Sequence, residues 1–177
     1  LRYDIELPRR VFKGDYGSEK LNHIISLIKK KGKKRKYDCI IGVSGGVDST
    51  YVAYLTKKHG LNPLAIHFDN GWNSELAVSN IEKTLDKLNI DLFTYVINWE
   101  EFKNLQLSFL KASTPDGEIP TDHAITALLF REAAKRNINY IISGMNFATE
   151  SISVSSWAYG HSDWKYIKSV HKKYGSK

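Results

Sequence analysis

The sequence predicts an α/β protein with an open, mainly parallel sheet that helices cover on both faces. Short apolar runs alternate along the chain with segments of helical periodicity. The runs are nearly continuous, which is typical of strands buried on both faces, and turn residues separate them from the helices. A glycine-rich turn at 44–46 joins the first run to a helix. Open parallel sheets bind ligands at such strand-to-helix turns.

The composition is that of a soluble globular protein. The 177 residues are 42% hydrophobic and 25% charged, and no apolar stretch reaches the roughly 18 residues that a membrane span needs. We therefore expect one domain at 18–177, preceded by an N-terminal arm at 1–17, located in the cytoplasm and not in a membrane. A single cysteine, Cys39, excludes an internal disulfide and any multi-cysteine metal site within this sequence.

A basic run, KKKGKKRK at 29–36, holds seven basic residues, as many as the whole net charge of +7. Such a run can bind nucleic-acid phosphates. It also follows a helical pattern of apolar residues at 21–28, and cations stabilise the C-terminal end of a helix. We favour the solvated helix end, so a nucleic-acid partner is not expected.

The first half of the chain predicts three strands and two helices. A buried strand is expected at 37–43, followed by a helix at 51–59. A second strand at 62–70 precedes a helix at 74–88, whose apolar residues fall on one side. The segment 91–98 is the third strand.

The second half predicts two further helices and a fourth strand. Asn98 with Glu101 resembles a capping box and opens the first of these helices. After a loop, Thr121 or Asp122 is expected to cap the next helix. The apolar run at 138–144 is the fourth strand.

The turn between the first strand and its helix, SGGVDS at 44–49, has the chemistry of a phosphate-binding loop. Gly45 and Gly46 let the backbone bend and approach a ligand closely. The first N–H groups of the helix lack internal partners and attract an anion, and Ser44 and Ser49 add hydroxyl donors. The loop has neither the Walker nor the Rossmann spacing. A plain glycine turn is the alternative interpretation.

This motif, placed after a buried strand, resembles the PP-loop signature of the ATP pyrophosphatases, which cleave ATP to AMP and pyrophosphate while activating a carbonyl oxygen. Further stretches resemble the N-acetyl sugar amidotransferases of surface polysaccharide and lipopolysaccharide biosynthesis: HFDNGWNSELAVSNIEK, KASTPDGEIPTDHAI, YIISGMNFATES and DWKYIKSVHKK. The likeness spans about residues 19–174. It implies a PP-loop fold of the adenine nucleotide alpha hydrolase type, which is Rossmann-like, with strand order 3-2-1-4. It also implies ATP and Mg²⁺ as cofactors.

The resemblance implies a ligase-type reaction in which ammonia converts an acetamido group of a nucleotide-activated N-acetyl sugar to an acetamidino group. A separate glutaminase and a cyclase-like ammonia-channelling subunit would supply the ammonia. Two alternatives remain open: a tRNA-modifying PP-loop enzyme, which the basic run would suit, and a non-catalytic nucleotide-binding module. Many sulfur-transferring PP-loop enzymes need reactive cysteines, and Cys39 within a strand is a poor candidate.

Carboxylates beside the loop are the predicted catalytic residues. Asp48 is the nearest candidate for binding the magnesium ion, with capping of the helix start as the alternative. Asp69 stands at the carboxyl end of the second strand and is also predicted to be catalytic. Asn70 and Trp72, which follow it, are assigned to substrate binding.

The segment after the fourth strand is expected to face the phosphate loop across the point where the strand order reverses. Gly144 permits close approach and belongs to the predicted nucleotide site. Asn146 and Glu150 are predicted to hold the sugar, its amide or a metal, and Glu150 is also predicted to be catalytic. Turn capping is the alternative for Asp69, Asn146 and Glu150.

Other polar and aromatic residues have structural explanations that we prefer or weigh equally. His67 is interpreted as a satisfied strand histidine and Cys39 as a small core residue. Asp122 and His123 could lie near the substrate, although their helix is explained by covering the sheet. The aromatic residues near the C-terminal end are Trp157, Tyr159, Trp164 and Tyr166. They could stack on a uridine or a sugar ring, or they could equally cover a packing interface, since Trp164, Ile167 and His171 recur at helical spacing.

Overall fold

The computed structural model describes residues 2–145, 147 and 160–176. Within this part of the chain, helices and strands follow each other in the order α1 (Arg2–Arg10), α2 (Gly14–Gly32), β1 (Cys39–Gly42), α3 (Val47–Lys58), β2 (Pro63–Asp69), α4 (Glu75–Leu88), β3 (Asp91–Val96), α5 (Trp99–Lys111), α6 (Ile119–Lys135), β4 (Ile141–Ile142) and α7 (Trp164–Tyr174). None of the helices among these residues is both long and apolar enough to cross a membrane.

The four strands form one parallel sheet in the order β3-β2-β1-β4. Ile40 in β1 is in register with Leu64 in β2 and with Ile141 in β4. This confirms both the parallel sheet and the predicted strand order. Because all strands run the same way, their carboxyl ends meet at one edge. The strand order reverses between β1 and β4.

Helices α5 and α6 cover one face of the sheet. Alternate strand residues Ile40, Leu64 and Ile66 point to this face and pack in one cluster with Phe102 of α5 and Leu128 of α6. The two-residue period of the strands places these apolar side chains together. Burial of this cluster fixes α6 beside the carboxyl edge of the sheet.

Helices α3 and α4 cover the opposite face. Ile41 and Ala65, one position along from the residues of the first face, cluster there with Ala53 of α3 and with Ile81 and Leu85 of α4. The prediction of helices on both faces is therefore confirmed. The edge strand β3 is the least covered, since Leu92 and Val96 on one side of it are exposed.

Helix α7 packs against α5 and α6 rather than against the sheet. Ile167 and Val170 are buried there with Phe109 and Ile119. The helical spacing expected near the C-terminal end is confirmed, while Trp164 at the start of α7 remains exposed. Trp157 and Tyr159 lie outside the described residues.

The start of α6 was predicted wrongly. The helix begins at Ile119, its N-cap is Glu118, and no side chain caps it, so neither Thr121 nor Asp122 has that role. Pro120 explains the earlier start, because its fixed φ suits the first helical turn and its missing N–H costs nothing there. The predicted cap at Asn98 is confirmed, since its side chain accepts hydrogen bonds from the backbone of α5.

Three other boundaries differ from the expectation. Helix α3 begins at Val47 rather than at 51, so the phosphate loop is shorter and Asp48 lies inside the helix. Helix α2 begins at Gly14, within the segment assigned to an arm, and α1 precedes it. The division into an arm and a domain stays a prediction. Strand β4 pairs through only two residues.

Candidate active site

Two serines hold the shape of the loop that follows β1. The hydroxyl of Ser49 donates to the carbonyl oxygen of Gly46 at 3.1 Å and accepts from the backbone N–H of Ser44 at 3.3 Å. The two hydroxyl oxygens lie 3.3 Å apart. These contacts preorganise a turn at the N-terminus of α3, where the first backbone N–H groups lack helical acceptors. The role of both hydroxyls as phosphate donors stays a prediction.

Gly45 is required by the fold itself. Its φ is +75°, and an added Cβ would lie 2.3 Å from the carbonyl oxygen of Ala77 in α4. The side-chain amide of Asn80, one turn further along α4, donates to the Gly45 carbonyl at 3.3 Å. The close approach observed at Gly45 is to a helix. The close approach to a ligand, which the sequence predicted, stays a prediction.

Gly46 differs from Gly45 in its surroundings. It is the N-cap of α3, with a φ of −82° that any residue can adopt. An added Cβ would meet only the hydroxyl oxygen of Ser44 within 4 Å, at a distance of 3.4 Å. A side chain here would extend into the open space of the loop, which is the space that a phosphate would need.

Asp48 lies in the first turn of α3, opposite the end of β4. Its side chain does not cap the helix, since Gly46 is the N-cap and no side-chain hydrogen bond is made there. A Cβ added to Gly144 would lie 3.4 Å from the carbonyl oxygen of Asp48 and from a methyl group of Val52. The segment after β4 thus faces the start of α3, as expected, and Gly144 lies in close contact with Asp48.

Asp48 fits the usual binding of magnesium by proteins, in which one or two carboxylates act together with substrate phosphates and water. Among the described residues, no group of three or more His, Cys, Asp or Glu side chains is placed to hold a metal. A magnesium ion at this loop would therefore take most of its ligands from the nucleotide.

Asp69 organises the loop after β2. One carboxylate oxygen accepts from the backbone N–H of Gly71 at 3.0 Å and from the side-chain amide of Asn73 at 3.2 Å. Asn70 accepts from the backbone N–H of Trp72 at 3.1 Å. The turn-forming alternative is confirmed for Asp69. The catalytic role of Asp69 and the substrate-binding roles of Asn70 and Trp72 stay predictions.

A cavity of about 360 Å³ opens between the loop and α6. Its volume lies within the range of about 300–1,000 Å³ that is common for small-molecule sites. Val43 and Ser44 line it at the loop, and Ile66 and Leu128 are among its apolar walls. Its remaining walls include Asn70, Asn73, Thr121, Ile125, Leu129, Ser143 and Gly144.

Sequence reasoning missed several of these walls. Asn73 did not stand out, Thr121 was considered only as a helix cap, and Ile125, Leu128 and Leu129 were explained as residues that cover the sheet. Their helical spacing was visible in the sequence, but the cavity between α6 and the strand ends was not. The predicted residues Asn146 and Glu150 lie outside the described residues.

A second polar cluster forms around His161. Its Nε2 lies 3.0 Å from a carboxylate oxygen of Asp116 and 3.5 Å from one of Asp122, and its carbonyl oxygen accepts from Nδ1 of His123 at 2.8 Å. The hydrogen bond to His161 lowers the pKa of Asp116, whereas burial raises the pKa of Asp122. The sequence left Asp122 and His123 as possible neighbours of the substrate. In the structure both contact His161, which precedes α7.

The structural interpretations of His67 and Cys39 are confirmed. Nδ1 of the buried His67 hydrogen-bonds the carbonyl oxygen of Val43 at 3.0 Å, which satisfies this nitrogen, and the residue also lines the first cavity. The thiol of Cys39 is fully buried, and burial raises its pKa to about 12. A thiol that stays protonated and has no access to solvent is a poor nucleophile.

A parallel sheet with a glycine loop at the carboxyl end of β1 and a cavity beside it is compatible with the PP-loop ATP pyrophosphatase superfamily of ATP-utilising enzymes. Comparison with known proteins agrees with this class. A family model described as queuosine biosynthesis protein QueC matches residues 38–162, which is more than half of the chain. The chain belongs to this family.

Two curated relatives are similar over parts of the chain. The tRNA-specific 2-thiouridylase MnmA 2 of Fusobacterium nucleatum is 29% identical over 140 residues, which are 75% of this chain and 38% of the relative. The tRNA(Ile)-lysidine synthase of Chlamydia pneumoniae is 31% identical over 70 residues, which are 38% of this chain and 21% of the relative. The chain thus spans well under half the length of these relatives.

Two solved structures share the fold. The NH3-dependent NAD synthetase from Campylobacter jejuni has a TM-score of 0.52 at 20% identity, covering 73% of this chain and 57% of the other. The NMN synthetase from Francisella tularensis has a TM-score of 0.51 at 22% identity, covering 70% and 51%. At these sequence identities the similarity shows a shared fold and no more.

Proposed function

We propose that this chain is the ATP-binding part of an enzyme that cleaves ATP to AMP and pyrophosphate in order to activate a carbonyl oxygen of its acceptor. The cavity beside the phosphate loop carries the proposal. Val43 and Ser44 line its end at the glycine loop, which leads to the N-terminus of α3 and suits phosphates, and its apolar interior between Ile66 and Leu128 suits an adenine ring.

The proposed reaction has two steps. The acceptor's carbonyl oxygen attacks the α-phosphorus of ATP and pyrophosphate leaves; a nucleophile then adds to the carbonyl carbon and AMP leaves with the oxygen. The loop 44–49 orients the phosphates through backbone N–H groups and keeps them in line for this attack. Asp48 would hold Mg²⁺, which spreads the negative charge that develops on the pyrophosphate.

Nitrogen is the nucleophile that suits this chain. The sequence contains one cysteine, and Cys39 is fully buried with its pKa raised to about 12, so this chain supplies no reactive sulfur. The first candidate, which rests on the resemblance of the sequence to N-acetyl sugar amidotransferases, uses ammonia to convert an acetamido group of a nucleotide-linked N-acetyl sugar to an acetamidino group. A separate glutaminase and a cyclase-like subunit would deliver the ammonia.

The position of the basic run supports a small acceptor. Arg35 donates to the side chain of Asn139 at 2.6 Å, and Lys36 pairs with Asp91 at 2.9 Å. Asn139 and Asp91 lie where β4 and β3 begin, so the run lies at the amino edge of the sheet. The phosphate loop is at the opposite edge. A substrate held by the basic run would have to reach across the sheet.

A tRNA-modifying enzyme is the second candidate, and the curated relatives favour it over the sugar amidotransferase. Both relatives named above act on tRNA by their names, and the family model is described by queuosine biosynthesis. The basic run at 29–36 would then contact the tRNA backbone away from the reacting base.

Pyrophosphate release separates these candidates. The protein would be assayed with ATP, Mg²⁺ and ammonium chloride, adding UDP-N-acetyl sugars, tRNA or no acceptor. Release that depends on a sugar supports the first candidate, and release that depends on tRNA supports the second. ADP and inorganic phosphate as products, or no turnover with any acceptor, would contradict the proposal.

Asp48→Asn tests the loop within the same assay. Loss of the magnesium ligand should lower pyrophosphate release at least ~100-fold, because metal stabilisation of a transition state contributes several kcal/mol. Asp86→Asn, at an exposed position of α4 away from the cavity, is the matched control and should keep the parent's rate. Equal rates for Asp48→Asn and the parent would remove Asp48 from the site.

A further inference from the structure

A second cavity, of about 460 Å³, lies beside the first at the carboxyl edge of the sheet. Asn70, which follows β2, lines both cavities. The walls of the second come from the loop after β2, from α5 and from the start of α6, and they include Trp72, Trp99, Lys103, Gln106, Leu107, Leu110, Gly117 and Glu118. A ligand that spans Asn70 would therefore reach from the nucleotide cavity into this one.

Trp72 is held rigidly although its side chain is 66% exposed. Its indole Nε1 donates to the side-chain oxygen of Gln106 at 2.7 Å. Its ring meets Trp99 edge to face, with centroids 5.4 Å apart and planes at 75°. An exposed indole fixed by a hydrogen bond and an aromatic contact loses little entropy when a ligand packs on it.

Gly71, next to Trp72, permits the contact between the indoles of Trp72 and Trp99. Gly71 has a φ of +80°, and an added Cβ would lie 3.1 Å from the ring of Trp99. A side chain at this position would push the two indoles apart. The glycine therefore allows the two rings to form a corner that opens into the cavity.

Two charged groups of the cavity are available to a ligand. Lys103 and Glu118 are exposed, and within the described part of the chain neither side chain makes an ion pair or hydrogen bond. Gln106 is already engaged, since its amide nitrogen lies 3.4 Å from the hydroxyl of Thr121, which lines the first cavity. Aromatic faces flanked by a cation and a carboxylate suit a ring that has apolar C–H faces and several hydroxyl groups.

We propose that this cavity binds the pyranose ring of an N-acetylated nucleotide sugar, with the ring packed in the corner of Trp72 and Trp99. The inference rests on the proposed sugar amidotransferase function and specifies which surface recognises its acceptor. Lys103 and Glu118 hydrogen-bond the hydroxyls, and the acetamido group extends past Asn70 towards the nucleotide cavity.

Calorimetry with UDP-N-acetylglucosamine and with UDP as probes tests the inference without turnover. The parent should bind the sugar nucleotide more tightly than UDP. Trp72→Ala should weaken the binding of the sugar nucleotide about tenfold or more, because it removes the more exposed of the two indoles, while its ATP affinity stays unchanged. Trp72→Phe keeps an aromatic face and should recover most of the loss.

Phe130→Ala is the matched control, since Phe130 in α6 is also 66% exposed and lines neither cavity. Its affinities should equal those of the parent. The inference would be overturned if the parent bound UDP and UDP-N-acetylglucosamine equally, or if Trp72→Ala bound the sugar nucleotide as tightly as the parent does. It would also be overturned if tRNA, and no sugar nucleotide, competed for the site.

The outcomes distinguish this inference from the proposed function. Binding that depends on Trp72, without acceptor-dependent pyrophosphate release, upholds the sugar site and contradicts the catalytic proposal. Sugar-dependent release that is unaffected in Trp72→Ala upholds the catalytic proposal and overturns the sugar site.

Discussion

Gly45 and Gly46 are neighbours in the predicted phosphate loop, yet the structure predicts a large loss of stability when alanine replaces Gly45 and almost none when it replaces Gly46. In Gly45→Ala the new methyl group would lie 2.3 Å from the carbonyl oxygen of Ala77. The residue would also have to keep a φ of +75°. Either the loop moves away from α4 or the strain remains in the native state.

The magnitude follows from these two costs. A left-handed conformation costs an L-residue about 1–2 kcal/mol, and overpacking typically adds about 1–3 kcal/mol. We therefore expect Gly45→Ala to lower the free energy of unfolding by about 2–5 kcal/mol. For a chain of this size the melting temperature should fall by at least about 4 °C.

Gly46→Ala provides the control for the same chemical change one residue along. Its Cβ would meet only the hydroxyl oxygen of Ser44, at 3.4 Å, and its φ of −82° is ordinary. Its free energy of unfolding should stay within about 1 kcal/mol of the parent. The larger Gly46→Val should also fold but should lose ATP binding, because its side chain enters the space in front of α3.

Urea unfolding and calorimetric titration of ATP measure these two effects separately. A Gly45→Ala protein whose free energy of unfolding lies within about 0.5 kcal/mol of the parent would refute the packing argument. Unchanged ATP affinity in Gly46→Val would refute the assignment of the phosphate loop.

Two further predictions concern charge and protonation. Burial raises the pKa of Cys39 from its ordinary value of 9.0 to about 12. Between about pH 9 and 12 the unfolded chain therefore releases the thiol proton while the folded chain keeps it. In this range the free energy of unfolding of the parent should fall by up to about 1.4 kcal/mol per pH unit. Cys39→Ala should lack this loss in urea unfolding at pH 8 and pH 10, and equal slopes would contradict the assignment. Replacing Lys33 and Lys34 with serine should leave sugar-dependent pyrophosphate release within a few-fold; a collapse of activity, together with steeply salt-dependent tRNA binding by the parent, would favour the tRNA candidate.

Local signals predicted the elements well where each element carries its own pattern. The apolar run of β2 and the one-sided periodicity of α4 specify their structure within a few neighbouring residues. The start of α6 was predicted wrongly because Thr121 has the chemistry of a cap, whereas Pro120 sets the first turn. Two competing local signals cannot be ranked without knowing how the preceding loop runs.

The sequence predicted only those parts of the candidate site that lie at the carboxyl ends of strands. The sequence identified Asp48 and Gly144 as neighbours of one loop, since parallel strands end at a common edge. It did not show that Gly45 packs on α4, because a glycine turn has the same letters whether a helix or a phosphate lies against it. That distinction depends on a contact between residues 32 positions apart.

The sequence by itself determined the parallel α/β fold and the glycine turn at the end of β1, because periodicity and turn chemistry act over a few residues. The tertiary structure alone decided which polar groups meet. Trp72 reaches Gln106, 34 residues away, and His161 reaches Asp116 across 45 residues. Such contacts depend on how far each helix extends past the sheet and on the path of the loops between, which no local pattern encodes.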